Sequence, residues 1–266
     1  MTPLVRHRFW DTIMATQFVV MIEAPVNEGG RARAAAEEVF FEIRRLESLL
    51  SRFVEESEIS QINRLRFGEE IIVSPETHRC LKLALEAERL SRGHFNVAYL
   101  SEGITGGQEA FALLSRPCRV VSQAETLQLD PGGIGKGFAL EQTSGILVRY
   151  GYPKAILCAD TSTIFALDPP HGSQGWPVQW EPDGGTETVE LANEAISCSG
   201  KTVRGEHIFD TRQRQYATKR DRVHVRMPSP ALADALSTAA MTMPEDCWES
   251  ISHFLEHSLC RRRYNG

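Results

Sequence analysis

The chain has 266 residues, 42% of them hydrophobic and 24% charged, with a formal net charge of −6. That length supports a large core or two lobes, and the composition is that of an ordinary soluble globular protein. The acidic balance argues against a nucleic-acid binder, which needs a basic face, and no run of 18 apolar residues is present to span a membrane. Six cysteines occur with no CxxC pair and no zinc-like spacing to a histidine, so reduced, mostly buried thiols are expected. The N-terminus, MTPLVRHRFWDT, has neither an apolar core of signal-peptide length nor a lipobox cysteine, and the expectation is a cytoplasmic protein.

In chain order, Ile13 to Glu23 is a β-rich run and predicts the first strand. Asn27 to Gly30 reads as a loop. Arg31 to Phe53 predicts a helix, with Val39, Phe40, Ile43, Leu46, Leu49 and Leu50 on one apolar face. Beyond it, Phe53 suits a core position or stacking on a planar ring. Ser57 suits a helix cap, and Asn63 is the kind of side chain that hydrogen-bonds a ring edge. Ile71 to Val73 predicts a short strand. Ser74-Pro75 then opens a helix in cap-then-N1 order, running to Gly93. Residues 99–125 read as a loop with one short helix at Glu109 to Leu114.

The most informative stretch is Leu129-Asp130-Pro131-Gly132-Gly133-Ile134-Gly135-Lys136-Gly137-Phe138, followed by a helical pattern ending near Gly151. Clustered glycines permit close backbone approach, and a helix start offers free N–H groups and a positive dipole end. With Lys136 added, the stretch makes an anion cradle suited to phosphate. From the glycines alone, a tight turn before a packed helix reads equally well. Strands follow at Lys154 to Cys158, Thr163 to Leu167, Trp176 to Trp180, Thr186 to Leu191, Ala195 to Cys198 and Arg222 to Met227. Ser229-Pro230 starts another helix, and Cys247, Trp248, Ile251, Phe254 and Leu255 mark a final amphipathic one. Arg261-Arg262-Arg263 reads as a solvated tail end. The pattern predicts an α+β fold with mainly antiparallel sheets and packed helices.

Several of these segments together resemble the ApbE family, the FAD:protein FMN transferases. Asp130 to Ala139 is similar to the family's D-L-G-G-I-A-K-G-Y-A, and Ser51 to Asn63 to its S-x-[FYW]-x-x-x-S-E-[IL]-S-x-[IL]-N. Ile13-Met14-Ala15-Thr16 resembles A-M-G-T, Gly93 to Ala98 resembles G-x-F-D-P-T, and Ser197 to Gly200 resembles T-S-G. Glu206 to Arg212 is similar to E-H-I-I-D-P-R, and Ala233 to Ala239 matches A-D-A-L-S-T-A in full. The resemblance covers about residues 13–245. It implies a T-fold-like, two-lobed single unit over 1–266, with the site between the lobes and a trimmed segment near 99–125. Four departures stand out: Asn96 for an aspartate, Ala159-Asp160-Thr161 for a Gly-Gly-Asp turn, Gln213-Arg214 for a T-G, and a cytoplasmic location where many relatives are exported lipoproteins.

The resemblance also implies a site. Asp234 and Thr238, one helical turn apart, would hold Mg2+ together with the Gly135 carbonyl. Oxygen ligands of this kind suit a hard cation shared with substrate phosphates. Met14, Phe53, Asn63, Asp130, Gly132, Gly133, Lys136, Ala159, Asp160 and Ser199 would bind FAD. His207 would be the general base, with Asp210 orienting it or lying at the metal edge, and Arg212 would neutralise phosphate. The implied reaction transfers FMN from FAD to a Thr or Ser hydroxyl of a partner protein and releases AMP. The alternatives are a degenerate FAD- or nucleotide-binding module and an FAD pyrophosphatase giving FMN and AMP.

Overall fold

The computed structural model describes residues 2–104, 109–180, 187–200, 209–210, 215–216, 220–244, 247 and 260–264. In chain order the strands and helices are β1 (Leu4–Ile13), β2 (Thr16–Pro25), α1 (Gly29–Leu50), α2 (Glu58–Ile62), β3 (Glu70–Ile72), α3 (Pro75–Leu90), β4 (Phe111–Ser115) and β5 (Cys118–Ser122). They continue with α4 (Gly135–Arg149), β6 (Ala155–Ala159), β7 (Thr163–Ala166), β8 (Trp176–Trp180), β9 (Glu187–Leu191), β10 (Glu194–Gly200), β11 (Phe209–Asp210), β12 (Gln215–Tyr216), β13 (Arg220–Met227), α5 (Pro230–Ala240) and β14 (Cys260–Tyr264).

One antiparallel sheet organises the molecule, in the order β1-β2-β6-β7-β10-β13-β14. Its strands alternate, so each presents two faces. Phe18, Val20 and Ile22 of β2 point into the main core, which the buried faces of α1, α4 and α5 complete. On the opposite face the β8–β9 hairpin lays Trp176, Val178 and Leu191 over Ile156, Ala166 and Ile196. A separate three-stranded sheet, β3-β5-β4, holds the segment before the Gly-rich stretch. The expected α+β class with antiparallel sheets and packed helices is what the chain adopts. Among the described residues no helix is long and apolar enough to cross a membrane. Cys80, Cys118 and Cys158 form no disulfide, and burial pushes the Cys80 and Cys158 thiols up to about 12. Both are therefore inert thiols.

The elements differ from expectation in four places. The run Ile13 to Glu23 is not one strand. It crosses a hairpin turn whose central residues, Met14 and Ala15, both have φ of 52°. Positive φ at both positions is the type I′ pattern, which glycine and asparagine normally mark in sequence. Next, α1 begins at Gly29 and ends at Leu50, so Phe53 lies beyond it in a turn. The expected helix at Glu109 to Leu114 is instead strand β4, because Pro117 disfavours helix just before it and Phe111 to Leu114 pair with β5. Finally, Arg261 to Arg263 belong to β14 and pair with β13 rather than forming a free tail. The predicted helix through Trp248 to Leu255 lies outside the described residues.

The turn yields a prediction. An alanine held at positive φ is strained, and glycine is not. Ala15→Gly should stabilise the protein by about 1 kcal/mol, raising Tm by about 2–4 °C in a thermal melt. An unchanged or lower Tm would mean that the turn carries no such strain.

Candidate functional site

The site lies where one end of the large sheet meets the start of α4. Three chain segments are tied there by backbone hydrogen bonds. The Asp160 N–H donates to the Gln17 carbonyl at 2.7 Å, and the Cys198 N–H donates to the Ser162 carbonyl at 2.6 Å. The β6–β7 turn is thereby held between the start of β2 and the end of β10. Helix α5 is preceded by Ser229, whose hydroxyl caps the Leu232 N–H, and it packs across this end of the sheet against α4.

The Gly-rich stretch enters through a clasp. The Asn63 amide donates to the Leu129 carbonyl at 3.0 Å, and its oxygen accepts from the Leu129 N–H at 2.7 Å. The expected ring-edge reader is therefore engaged with backbone on both sides and fixes the path into the loop. Asp130 follows. Its Oδ1 accepts from the Gly132 N–H at 3.0 Å, while its Oδ2 accepts from the Tyr99 hydroxyl at 3.2 Å and pairs with Arg52 Nε at 3.3 Å. Pro131–Gly133 forms one tight turn, and α4 starts at Gly135. Arg52 also lies over the Phe53 ring, 4.6 Å from its centroid. Phe53 is 83% exposed, so it is no core residue; with Arg52 over one face, the other is open to a planar ligand.

Behind the loop sits Asp234, only 3% exposed. Its Oδ2 accepts from the Gly137 N–H at 3.0 Å and lies 3.6 Å from Lys136 Nζ. Its Oδ1 accepts from the Thr163 hydroxyl at 3.3 Å. Thr238 is one turn along, its Oγ1 3.3 Å from that of Ser199 and 3.3 Å from where a Cβ on Gly133 would stand. Gly133, Lys136, Ser199, Asp234 and Thr238 are thus brought together as the sequence suggested. Lys136, however, faces Asp234 rather than standing free over the loop.

The remaining expected residues fall as follows. Met14 lies at the β1–β2 turn, partly buried against the core. Ala159 is fully buried, and its carbonyl accepts from Ser162. Of this turn, Asp160 and Thr161 are exposed. Asp160 adopts φ of 51°, which explains why a glycine suits this position. Asp210 lies on β11, opposite Gln215. His207 and Arg212 lie outside the described residues. Sequence reasoning did not single out Arg52, Tyr99, Thr163, Ser197 or Ser237. In β-strands, buried threonine and serine hydroxyls carry no sequence signal distinct from ordinary strand formers.

No group of three or more His, Cys, Asp or Glu side chains suited to a metal occurs among the described residues. The implied Mg2+ set is of another kind: one carboxylate, one hydroxyl and one backbone carbonyl, all hard oxygens. The arrangement fits that ion. Asp234 is a buried carboxylate whose ion pair with Lys136 is a loose 3.6 Å contact, which leaves charge for a cation. Thr238 Oγ1 borders the space that Gly133 leaves by lacking a Cβ.

Asn96 has a local explanation. Its amide donates to Glu88 Oε1 at 3.0 Å, and its oxygen accepts from the Ala98 N–H at 2.6 Å. An ionised aspartate there would face the Glu88 carboxylate. Burial pushes Glu88 up to about 7, with the Glu109 charge adding to the effect. Between the ordinary 4.5 and about 7 the folded chain keeps a proton that the unfolded chain has lost, so stability falls as pH rises through that window. Glu88→Gln should remove the loss, a gain of about 1–2 kcal/mol at pH 8 after discounting for partial exposure. Thermal melts should show the gain at pH 8 and little at pH 5. Equal gains at both values would exclude titration of Glu88 as the cause.

Comparisons with known proteins agree with the fold. The ApbE family model matches residues 14–258, and the chain belongs to the ApbE family. Among solved structures it is similar to the flavin transferase ApbE of Vibrio cholerae, with TM-score 0.85 and 17% identity over 99% of this chain and 95% of that one. It is also similar to the apo form of the Pseudomonas stutzeri flavinyl transferase ApbE, with TM-score 0.84 and 19% identity over 99% and 92%. An ApbE protein of Thermotoga maritima gives TM-score 0.78 and 21% identity over 97% of each chain. A comparison with curated protein sequences finds no match.

Proposed function

We propose that the protein is an FAD:protein FMN transferase that moves FMN from FAD to a Thr or Ser hydroxyl of a target protein, with Mg2+ as the metal. The observation that carries this reading is the meeting of Lys136, Asp234 and Thr238 beneath the Gly-rich start of α4. A helix start with a lysine binds an anion such as the pyrophosphate of FAD. Phe53, exposed beside that loop, offers a stacking face for one of the ligand's rings. Asp234, Thr238 and the Gly135 carbonyl are the groups that would hold Mg2+, which supplies charge neutralisation on phosphoryl oxygens when bound.

The chain's own residues divide the remaining work. His207 accepts the proton of the acceptor hydroxyl, the general-base role open to an imidazole. That oxygen bonds to the flavin-side phosphorus, the bond from this phosphorus to the bridging oxygen breaks, and AMP departs with that oxygen. Lys136 and the N–H groups at the start of α4 offset the charge that develops during transfer. Arg212 adds positive charge for phosphate, and Asp210 orients His207. The family membership and the flavin-transferase relatives support this reading.

The test is to incubate the protein with FAD and Mg2+, with and without a threonine-centred acceptor peptide fused to a carrier, then measure AMP and acceptor mass. One FMN added per acceptor, with matching AMP, is the expected result. AMP without a modified acceptor would favour the pyrophosphatase. FAD binding without either product would favour the binding module, a reading that the exposed Asp160-Thr161 turn keeps in play.

A further inference from the structure

We propose that Thr163 is a positioning residue for the metal-binding carboxylate, an inference that rests on the Mg2+ reading above. Asp234 is held by three elements at once. Its backbone belongs to α5, its Oδ2 is fixed by the Gly137 N–H of α4, and its Oδ1 faces the large sheet. On that side stand Thr163 Oγ1 of β7 at 3.3 Å and Ser197 Oγ of β10 at 3.5 Å. Thr163, Ser197 and Ser237 are all fully buried.

Proton counting separates these hydroxyls, since each has one hydrogen to give. Ser197 donates to the Ser162 carbonyl at 3.0 Å. Ser237 donates to the Asp234 backbone carbonyl at 2.9 Å, leaving its oxygen to accept from Ser199 at 2.7 Å. Thr163 lies 3.0 Å from Ser197 Oγ and 3.3 Å from Asp234 Oδ1. Its proton is drawn to the carboxylate, because hydrogen bonds to ionised acceptors are the stronger ones. Thr163 thereby fixes the side-chain torsion of Asp234 from the sheet, as the Gly137 N–H fixes it from the helix. Thr238 Oγ1 lies 3.3 Å from Ser199 Oγ and 3.3 Å from the Asp234 backbone carbonyl. Groups that orient a metal ligand in this way typically contribute 10–100-fold in metal affinity.

The experiment is an Mn2+ titration of the whole protein, followed by the EPR signal of the free ion, with no FAD present. Thr163→Val keeps the β-branched shape and deletes the hydroxyl. Its Mn2+ affinity is expected to fall about ten- to a hundredfold, and Thr163→Ser is expected to restore it. Should Thr163→Val fail to fold, Thr163→Ala, which adds no atom, is read by the same criterion. A merely structural role would lower Tm and leave the Mn2+ affinity of the folded protein unchanged. Wild-type affinity in the Val or Ala variant therefore overturns the proposal while the metal assignment stands. A wild-type protein that binds no Mn2+ overturns both.

Discussion

Asp234→Asn is expected to lower acceptor-dependent AMP release by about a thousandfold, the scale of removing an electrostatic contact from a phosphoryl-transfer site. Asparagine is the informative replacement because the surroundings accommodate it. Its oxygen can take the Gly137 N–H, and its amide nitrogen then faces the oxygens of Thr163 and Ser197. The buried site stays hydrogen-bonded while the negative charge is lost. Lys136 loses its partner, yet its side chain is 18% exposed and can turn towards solvent. Fold and stability should therefore change little, and Mn2+ binding should disappear with activity. Thermal melts and an Mn2+ titration beside the AMP assay separate these effects. Undiminished, still metal-dependent activity would remove Asp234 from the ligand set.

Asp234 and Thr238 were legible through the resemblance to the ApbE family; their spacing of one helical turn allows a shared face but does not by itself single them out. The Gly-rich stretch was legible as a site through the other family-like motifs around it, since its glycines alone suit a tight turn equally well. What the sequence did not reveal depends on contacts between distant segments. Asn63 is a polar side chain in any reading, and only the fold shows its amide closed on Leu129. Thr163 and Ser197 look like ordinary strand residues until β7 and β10 are brought alongside α5. The Met14-Ala15 turn is hidden because neither residue is one that favours positive φ. The strand at Phe111 reads as a helix from sequence because short apolar runs lack a distinguishing period.

Gly137→Ala is expected to be the most destabilising single-methyl change in the site. A Cβ at Gly137 would stand 2.1 Å from the Pro230 carbonyl oxygen and 2.9 Å from Asp234 Cβ. The first of these is backbone at the start of α5, so no side-chain rotation relieves it. The α4–α5 contact must open, at a cost of about 3 kcal/mol, and Tm should fall by about 6–12 °C. The same opening carries Asp234 away from the Gly137 N–H, so the folded fraction should also bind Mn2+ more weakly. Gly135→Ala is the matched control two residues earlier. A Cβ there meets nothing within 4 Å, alanine is the better helix former by up to about 1 kcal/mol, and the backbone carbonyl is retained. That variant should be as stable as the parent or more so, with metal binding intact. If Gly137→Ala instead melted like Gly135→Ala, the close approach of α4 to α5 would be wrong, and with it the placement of Asp234 beneath the Gly-rich loop.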